Sequence, residues 1–421
     1  MSSPEPGSPS PWRWWVAALL LGATTINYLD RVALNQTAAA IKTTFALSNT
    51  DYGWLESGFV LAFGIGAVVT GILVDWIGVR WMYPLSVLGW SAAGFLTGFS
   101  QTYTFLLSCR VMLGLFEAGN WPCGIRTVRQ VMPPQERSFG VAIFQSGTGL
   151  GAMLTPGIVA LCLAWTIPGD PFAWQLPFRV IGLIGIVWAV LWVFTVPGRV
   201  LDPEHAVRSA SDRTAGGGSF WEVFLNRKFY ILIVLVTGVN TTWHTFRVWL
   251  PLYLETQLGY SKSDMQWLTF TYYLVADVGS WTVGLTVLGL TRARVDLFRS
   301  RLTTFGVGVG LVLTSALMPF LGRDAVLAVI FVTGFGALGL FATYFALSQE
   351  VSGRHQGKVT GTLGLLNSIY LGIVYVVQGA VTDSLRDRYE WVLAVAGIPA
   401  LVAFLTVLIF WPRDRDQSHS S

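Results

Sequence analysis

The sequence predicts an all-α polytopic membrane protein with twelve transmembrane helices in two pseudo-symmetric six-helix bundles. Three observations lead there. Of the 421 residues, 53% are hydrophobic and only 12% are charged. That is about half the charged share of a soluble protein, too little to coat a water-facing surface of this size. The apolar residues gather in stretches of about 20, the length that crosses a bilayer as a helix. The basic residues fall mostly between alternate stretches. Strands of a membrane barrel would give short alternating segments instead.

Taken in order, the spans lie at 14–38, 51–74, 81–100, 103–128, 138–166, 174–197, 229–254, 264–290, 302–320, 324–349, 357–382 and 389–411. The first is too long for a cleaved signal peptide. It carries Asp30 and Arg31, and no small-residue cleavage site follows a short apolar core. With a cytoplasmic N-terminus, 18 of the 27 Lys and Arg fall in inner loops and tails, five fall in outer loops, and Arg31, Arg110, Arg179 and Arg247 lie within or close to spans. The positive-inside rule then places both termini in the cytoplasm, as an even number of spans requires. The longest polar interruption, 198–228, holds Asp202-Pro203-Glu204-His205 and Ala215-Gly216-Gly217-Gly218-Ser219. It reads as a flexible cytoplasmic linker. The expected organisation is a cytoplasmic tail 1–13, a bundle 14–197, the linker 198–228, a second bundle 229–411 and a cytoplasmic tail 412–421. Cys109, Cys123 and Cys162 have no metal-ligand spacing and imply no disulfide framework.

Charges inside the spans carry the functional signal. Asp30, Arg31, Arg110, Glu117, Arg247 and Asp277 all fall there. Each costs roughly 2.5–3.5 kcal/mol at the bilayer centre, so six unpaired would cost about 15–20 kcal/mol, beyond the stability of a typical domain. They must pair or face a wet cavity. Arg110 and Glu117 are two turns apart on one helix face, about 10 Å along the axis. Asp30 and Arg31 point about 100° apart and serve different partners. Helix 1 runs outward and helix 4 inward, so Asp30 and Arg110 share the outer half and can meet, with Glu117 nearer the midplane.

The loop after the second span reads Gly71-Ile72-Leu73-Val74-Asp75-Trp76-Ile77-Gly78-Val79-Arg80. It resembles the loop 2–3 signature of the major facilitator superfamily, Gly-x-x-x-Asp-x-x-Gly-x-Arg. The glycines permit a tight turn, and Asp75 and Arg80 can make charge-assisted contacts that close a cytoplasmic gate. Three stretches narrow the resemblance: Asn27-Tyr28-Leu29-Asp30-Arg31, the run from Arg110 through Gly114 to Glu117-Ala118-Gly119-Asn120-Trp121-Pro122, and Trp249-Leu250-Pro251-Leu252-Tyr253-Leu254. Together they resemble the anion:cation symporter family, which includes bacterial hexuronate and galactonate carriers. Phe144-Gln145-Ser146-Gly147 is similar to the hexuronate branch. The likeness spans the chain in topology and is most specific in the N-terminal half. The family often has Tyr and, four residues on, Gln in helix 2, where this chain has Phe63 and Ala67. His244 and Arg247 are not family features.

The resemblance implies the major facilitator fold in a bacterial inner membrane. It also implies proton-coupled symport of an organic anion, most simply a sugar acid such as a hexuronate or aldonate, by alternating access. Sodium remains open as the coupling ion. Two alternatives stand beside this reading. A metabolite or drug antiporter would carry a Gly-Pro-rich signature in helix 5, which Gly147-x-x-x-Gly151 followed by Ala152 to Pro156 matches incompletely. A non-transporting anion sensor would need a signalling domain. The expected partners are a small organic anion, the coupling ion and membrane lipid, with no nucleic acid and a monomeric chain. No enzyme, metal or cofactor is expected, because no nucleophile–base or metal constellation occurs. Gly334-Phe335-Gly336-Ala337-Leu338-Gly339 matches a dinucleotide pattern but lies inside a span, where close helix packing is the better reading.

Roles follow from the chemistry of the residues. Arg31 offers a planar fork of donors to the substrate carboxylate. Glu117 is the principal proton carrier, because a carboxyl group out of bulk water can change protonation near neutral pH. Asp30 and Arg110 form a switchable pair, or a static one that fixes helices 1 and 4. Tyr28, Asn120 and Trp121 are placed to touch substrate, as are Gln145 and Ser146 by resemblance. Arg247 can hold a second carboxylate or snorkel to the interface. Asp277 can pair with it, act as a second proton site, or pack. Tyr344 and Gln349 in helix 10 and Asn367 in helix 11 are cavity candidates. His244 fits a hydrogen-bonded packing role better than pH sensing.

Overall fold

The computed structural model describes residues 12–133, 136–167, 169–196, 201, 224, 226–348 and 356–412. Both tails and most of the linker therefore lie outside the described residues, apart from a residue or two at their edges. Every stretch expected to span is helical: α1 Trp12–Gln36, α3 Asn49–Ile77, α4 Val79–Thr97, α5 Tyr103–Glu117 with α6 Asn120–Val131, α7 Arg137–Ala164 and α8 Gln175–Thr195. After the linker come α9 Arg227–Leu252, α10 Lys262–Arg292, α11 Leu297–Leu313, α12 Arg323–Ser348, α13 Gln356–Ser384, and α14 Tyr389–Val395 with α15 Ile398–Phe410. A short α2, Ala38–Phe45, follows α1. Among the described residues, nine helices are long and apolar enough to cross a membrane, and no strand occurs.

Proline explains where the helices deviate. The fourth span breaks at Ala118–Gly119, because Pro122 has no N–H for the Ala118 carbonyl. The twelfth breaks at Ala396–Gly397, just before Pro399 enters the first turn of α15. Pro84 lies inside α4 and frees the Arg80 carbonyl, which accepts instead from Trp192 Nε1 at 3.1 Å. In the seventh span Pro251 is followed by a wide π-turn, Tyr253–Gln257. The turn joining α3 to α4 needs Gly78, whose φ is +78°.

The chain forms two compact units. The first takes residues up to 47 and 54–215, the second 48–53 and everything from 216 onward. In the first unit α1 lies against α7, and Gly147 and Gly151 let the Leu21 and Thr25 carbonyls come within van der Waals reach. This is the close-packing role expected of the Gly147-x-x-x-Gly151 pair. Gly334, Gly336 and Gly339 likewise sit inside α12 against Tyr272, the Gly308 carbonyl and Val283, so the dinucleotide-like pattern is a packing surface. In the second unit Asp383 caps the start of α3. It accepts from the Asn49 and Thr50 backbone N–H groups at 2.8 and 2.9 Å, where a carboxylate meets a helix N-terminus.

Candidate functional site

The first unit holds its charges on facing helices. α1 carries Asn27, Asp30 and Arg31 along one side, and α5 ends on Glu117. The Arg31 guanidinium donates to one oxygen of Glu117, Nη2 at 2.8 Å and Nε at 3.3 Å. Glu117 is fully buried and Arg31 nearly so. Three aromatic rings enclose the guanidinium: Tyr28 at 5.1 Å, and Phe59 and Phe63 each at 4.9 Å from its central carbon. Cation–π contacts of this kind gain strength when water is excluded. Asn27 Nδ2 donates to the Glu117 backbone carbonyl at 3.4 Å, tying α1 to the break in the fourth span.

Asp30 is fully buried, and neither carboxylate oxygen has a hydrogen-bond partner. It lies in the fields of Glu117 and Arg110 and abuts Gly94 of α4, where a side chain would collide with Oδ1 at 2.6 Å. Arg110 is fully buried, its guanidinium 4.6 Å from the Phe59 ring. The Phe59 ring is therefore in contact with two cationic side chains.

The other expected residues fall into different settings. Asn120 is fully buried, with both ends of its amide engaged. Its Oδ1 accepts from Tyr83 at 2.8 Å, and its Nδ2 donates to Thr24 at 3.1 Å. Trp121 is half-buried, edge-on to Phe144 at 5.1 Å. Gln145 and Ser146 are exposed on α7. Arg80 donates to the Val196 carbonyl; Gly71 is half-buried and Gly78 buried. The Asp75 side chain and Gln349 lie outside the described residues.

The second unit has its own polar cluster on α9 and α13. Arg247 Nη2 donates to the Tyr375 hydroxyl at 3.1 Å, and that hydroxyl lies 2.9 Å from His244 Nδ1. Two turns of α9 are tied further to Gln378, which accepts from Trp249 Nε1 at 2.8 Å and donates to Thr245 at 2.7 Å. His244 is thus hydrogen-bonded in the packed interior. Asp277 is half-buried on α10. Tyr344 is buried on α12, and Asn367 is half-buried on α13.

Sequence reasoning missed three participants. Glu56 is fully buried and accepts from Asn35 at 2.7 Å. A count of charges within the second span would have flagged it. Phe63 stood out only as a missing polar group, and its ring proves to be a wall of the Arg31 enclosure. Tyr375 carries no local signal, because a tyrosine in an apolar span is ordinary until its neighbours are known.

Known proteins share this architecture. A family model described as Major Facilitator Superfamily matches residues 20–375 and 250–421. The hexuronate transporter of Escherichia coli K12 is 23% identical over 418 residues, covering 94% of each chain. The galacturonate transporter of Dickeya chrysanthemi is 25% identical over 280 residues, 63% of this chain and 79% of that one. The D-galactonate transporter of Escherichia coli O6:H1 is 26% identical over 330 residues, 74% of each. Among solved structures, a bacterial homolog of the human lysosomal transporter Spinster, inward-facing and unoccupied, has a similar fold. The TM-score is 0.72 at 18% identity, over 96% of both chains.

Proposed function

Because this chain belongs to the major facilitator superfamily, and so is an integral-membrane transporter and not an enzyme, we propose that it is a proton-coupled symporter of a sugar acid. The cargo is a hexuronate or aldonate, carried by alternating access across a bacterial inner membrane with both termini in the cytoplasm. The relatives named for hexuronate, galacturonate and galactonate transport support the cargo class. The positive-inside distribution of Lys and Arg supports the orientation.

The observation that carries the mechanism is the Arg31–Glu117 ion pair. While Glu117 is ionised it occupies the guanidinium that the cargo carboxylate needs. Protonating Glu117 removes that competitor and leaves Arg31, held against Phe59 and Phe63, ready to take the cargo carboxylate through its Nε and Nη2 fork. Proton and anion then favour one another's binding, and the coupling is reciprocal. Asp30 and Arg110 act beside this pair. A proton on Asp30 removes the negative charge that Arg110 faces and loosens α1 from α5. Tyr28, next to Arg31, supplies a hydroxyl to the cargo. Trp121, Gln145 and Ser146 are further polar or stacking contacts of the first unit, and Asn120 braces them. Arg247, Asp277, Tyr344 and Asn367 are the corresponding candidates of the second unit.

The test is uptake of radiolabelled glucuronate, galacturonate and galactonate into proteoliposomes. The expected result is accumulation under an inward proton gradient without sodium. Accumulation that follows a sodium gradient and ignores pH would replace the coupling ion. No accumulation of any sugar acid would overturn the cargo.

A further inference from the structure

Behind the Arg31–Glu117 pair, α1 and α4 bury a second set of polar atoms that the cargo contact does not use. On α4, residues 83, 86, 90 and 94 recur at helical spacing and share a face. On α1, residues 24, 27 and 30 lie within an arc of about 120°. The two faces are joined at both ends. At one end Asp30 abuts Gly94. At the other, Tyr83 donates to Asn120, which donates to Thr24. Residues 83 to 94 cover about 16 Å at 1.5 Å per residue.

Four side chains along this seam have polar atoms with no hydrogen-bond partner: the carboxylate of Asp30, Asn27 Oδ1, Trp90 Nε1 and Ser86 Oγ. All four residues are almost completely buried, between 0% and 1% exposed. A buried polar atom left alone costs about 1–3 kcal/mol, so such atoms are usually bridged by ordered water. The set is also complementary. Trp90 only donates, Asn27 Oδ1 only accepts, and the Ser86 hydroxyl does both. Ser86 packs against Gly119, beside the break in the fourth span where Asn27 reaches the Glu117 carbonyl. The seam therefore passes close to both carboxylates.

We propose that this seam is a water-bridged proton path inside the first unit, running from Asp30 past Trp90, Asn27 and Ser86 toward Tyr83, and separate from the cargo contact at Arg31. The proposal rests on the proton-coupled reading above and adds the route. The Asp30 carboxylic acid gives its proton to the adjacent water and is left as a carboxylate. That water passes a proton to the next, Ser86 accepts one and releases its own, and the last water, beside the Tyr83 hydroxyl that donates to Asn120, takes up the proton and carries it on as hydronium. Trp90 and Asn27 orient the waters and exchange no proton. The charged and titratable groups that act on its two ends are Arg110 and Glu117 of α5 on Asp30, and Cys123 of α6 on Tyr83.

Two measurements test it. Hydroxyl-radical footprinting, which labels side chains beside bound water, should label Trp90 despite its burial, with the exposed Trp165 as positive control. The label should fall in Ser86→Val. An unlabelled Trp90 beside a labelled Trp165 overturns the hydration. In proteoliposomes, Trp90→Phe and Ser86→Ala should keep sugar-acid counterflow, which moves no net proton, within about twofold of the parent, while gradient-driven uptake falls about tenfold. Gradient-driven uptake unchanged in both variants overturns the path and leaves the coupled reading intact. Counterflow lost together with uptake marks general damage and overturns it too. Parent uptake indifferent to the gradient overturns the coupled reading itself.

Discussion

Arg31 and Glu117 lie 86 residues apart in the chain and meet at 2.8 Å, with the carboxylate fully buried and the guanidinium ringed by Tyr28, Phe59 and Phe63. The pair sets the competition on which the proposed coupling depends. An anion that is to reach Arg31 must displace a carboxylate already there, and a proton is the least disruptive way to remove that charge.

Glu117→Gln keeps the shape and removes the charge. Sugar-acid binding should persist and lose its pH dependence, while accumulation driven by a proton gradient disappears. In the parent, lowering pH protonates Glu117 and frees Arg31, so affinity should rise as pH falls. Binding by thermal shift across pH, paired with uptake, checks both. A Glu117→Gln protein whose affinity still rises on acidification would remove Glu117 from the coupling.

Arg31→Lys retains the positive charge but not the planar fork or its cation–π contacts with Phe59 and Phe63. Anion affinity should fall about tenfold or more, because lysine binds a carboxylate as a point charge. Titration calorimetry of the purified protein with the best cargo decides it. Equal affinity would place the cargo carboxylate elsewhere.

Phe63→Leu conserves an apolar side chain and deletes one ring of the enclosure. Loss of one cation–π contact is worth roughly 1 kcal/mol, or about fivefold in Kd. The readout is the same calorimetric titration, with Phe59→Leu expected to have the larger effect because its ring serves both Arg31 and Arg110.

Trp192→Phe leaves the Arg80 carbonyl, already freed by Pro84, without its donor. Stability should drop by about 1–3 kcal/mol, the cost of an unsatisfied buried carbonyl, with cargo affinity unchanged. The thermal unfolding midpoint in detergent measures the first and calorimetry the second.

Tyr375→Phe removes the hydroxyl shared by Arg247 and His244. The second unit should lose about 1–3 kcal/mol of stability. If Arg247 contributes to anion binding, affinity should fall alongside. Stability lost without affinity would assign this cluster to packing.

The order of amino acids was enough to give the twelve helical stretches, the division of charge between loops and spans, the family signature from Gly71 to Arg80, and the identity of most ionisable groups sunk in the spans. These follow from composition and from short-range hydropathy, which a chain carries locally. The breaks at Ala118–Gly119 and Ala396–Gly397 have an equally local cause, since Pro122 and Pro399 lack the N–H a continuous helix needs. Packing across the chain was required to establish that Glu117 meets Arg31, that Asp30 turns toward Gly94, that Phe63 walls the guanidinium, that Glu56 holds Asn35, and that Tyr375 joins Arg247 to His244. Each depends on how far a helix is rotated about its axis and on which neighbour's glycine admits a close approach. Rotation and approach are set between segments tens to hundreds of residues apart, so no window along the chain contains them.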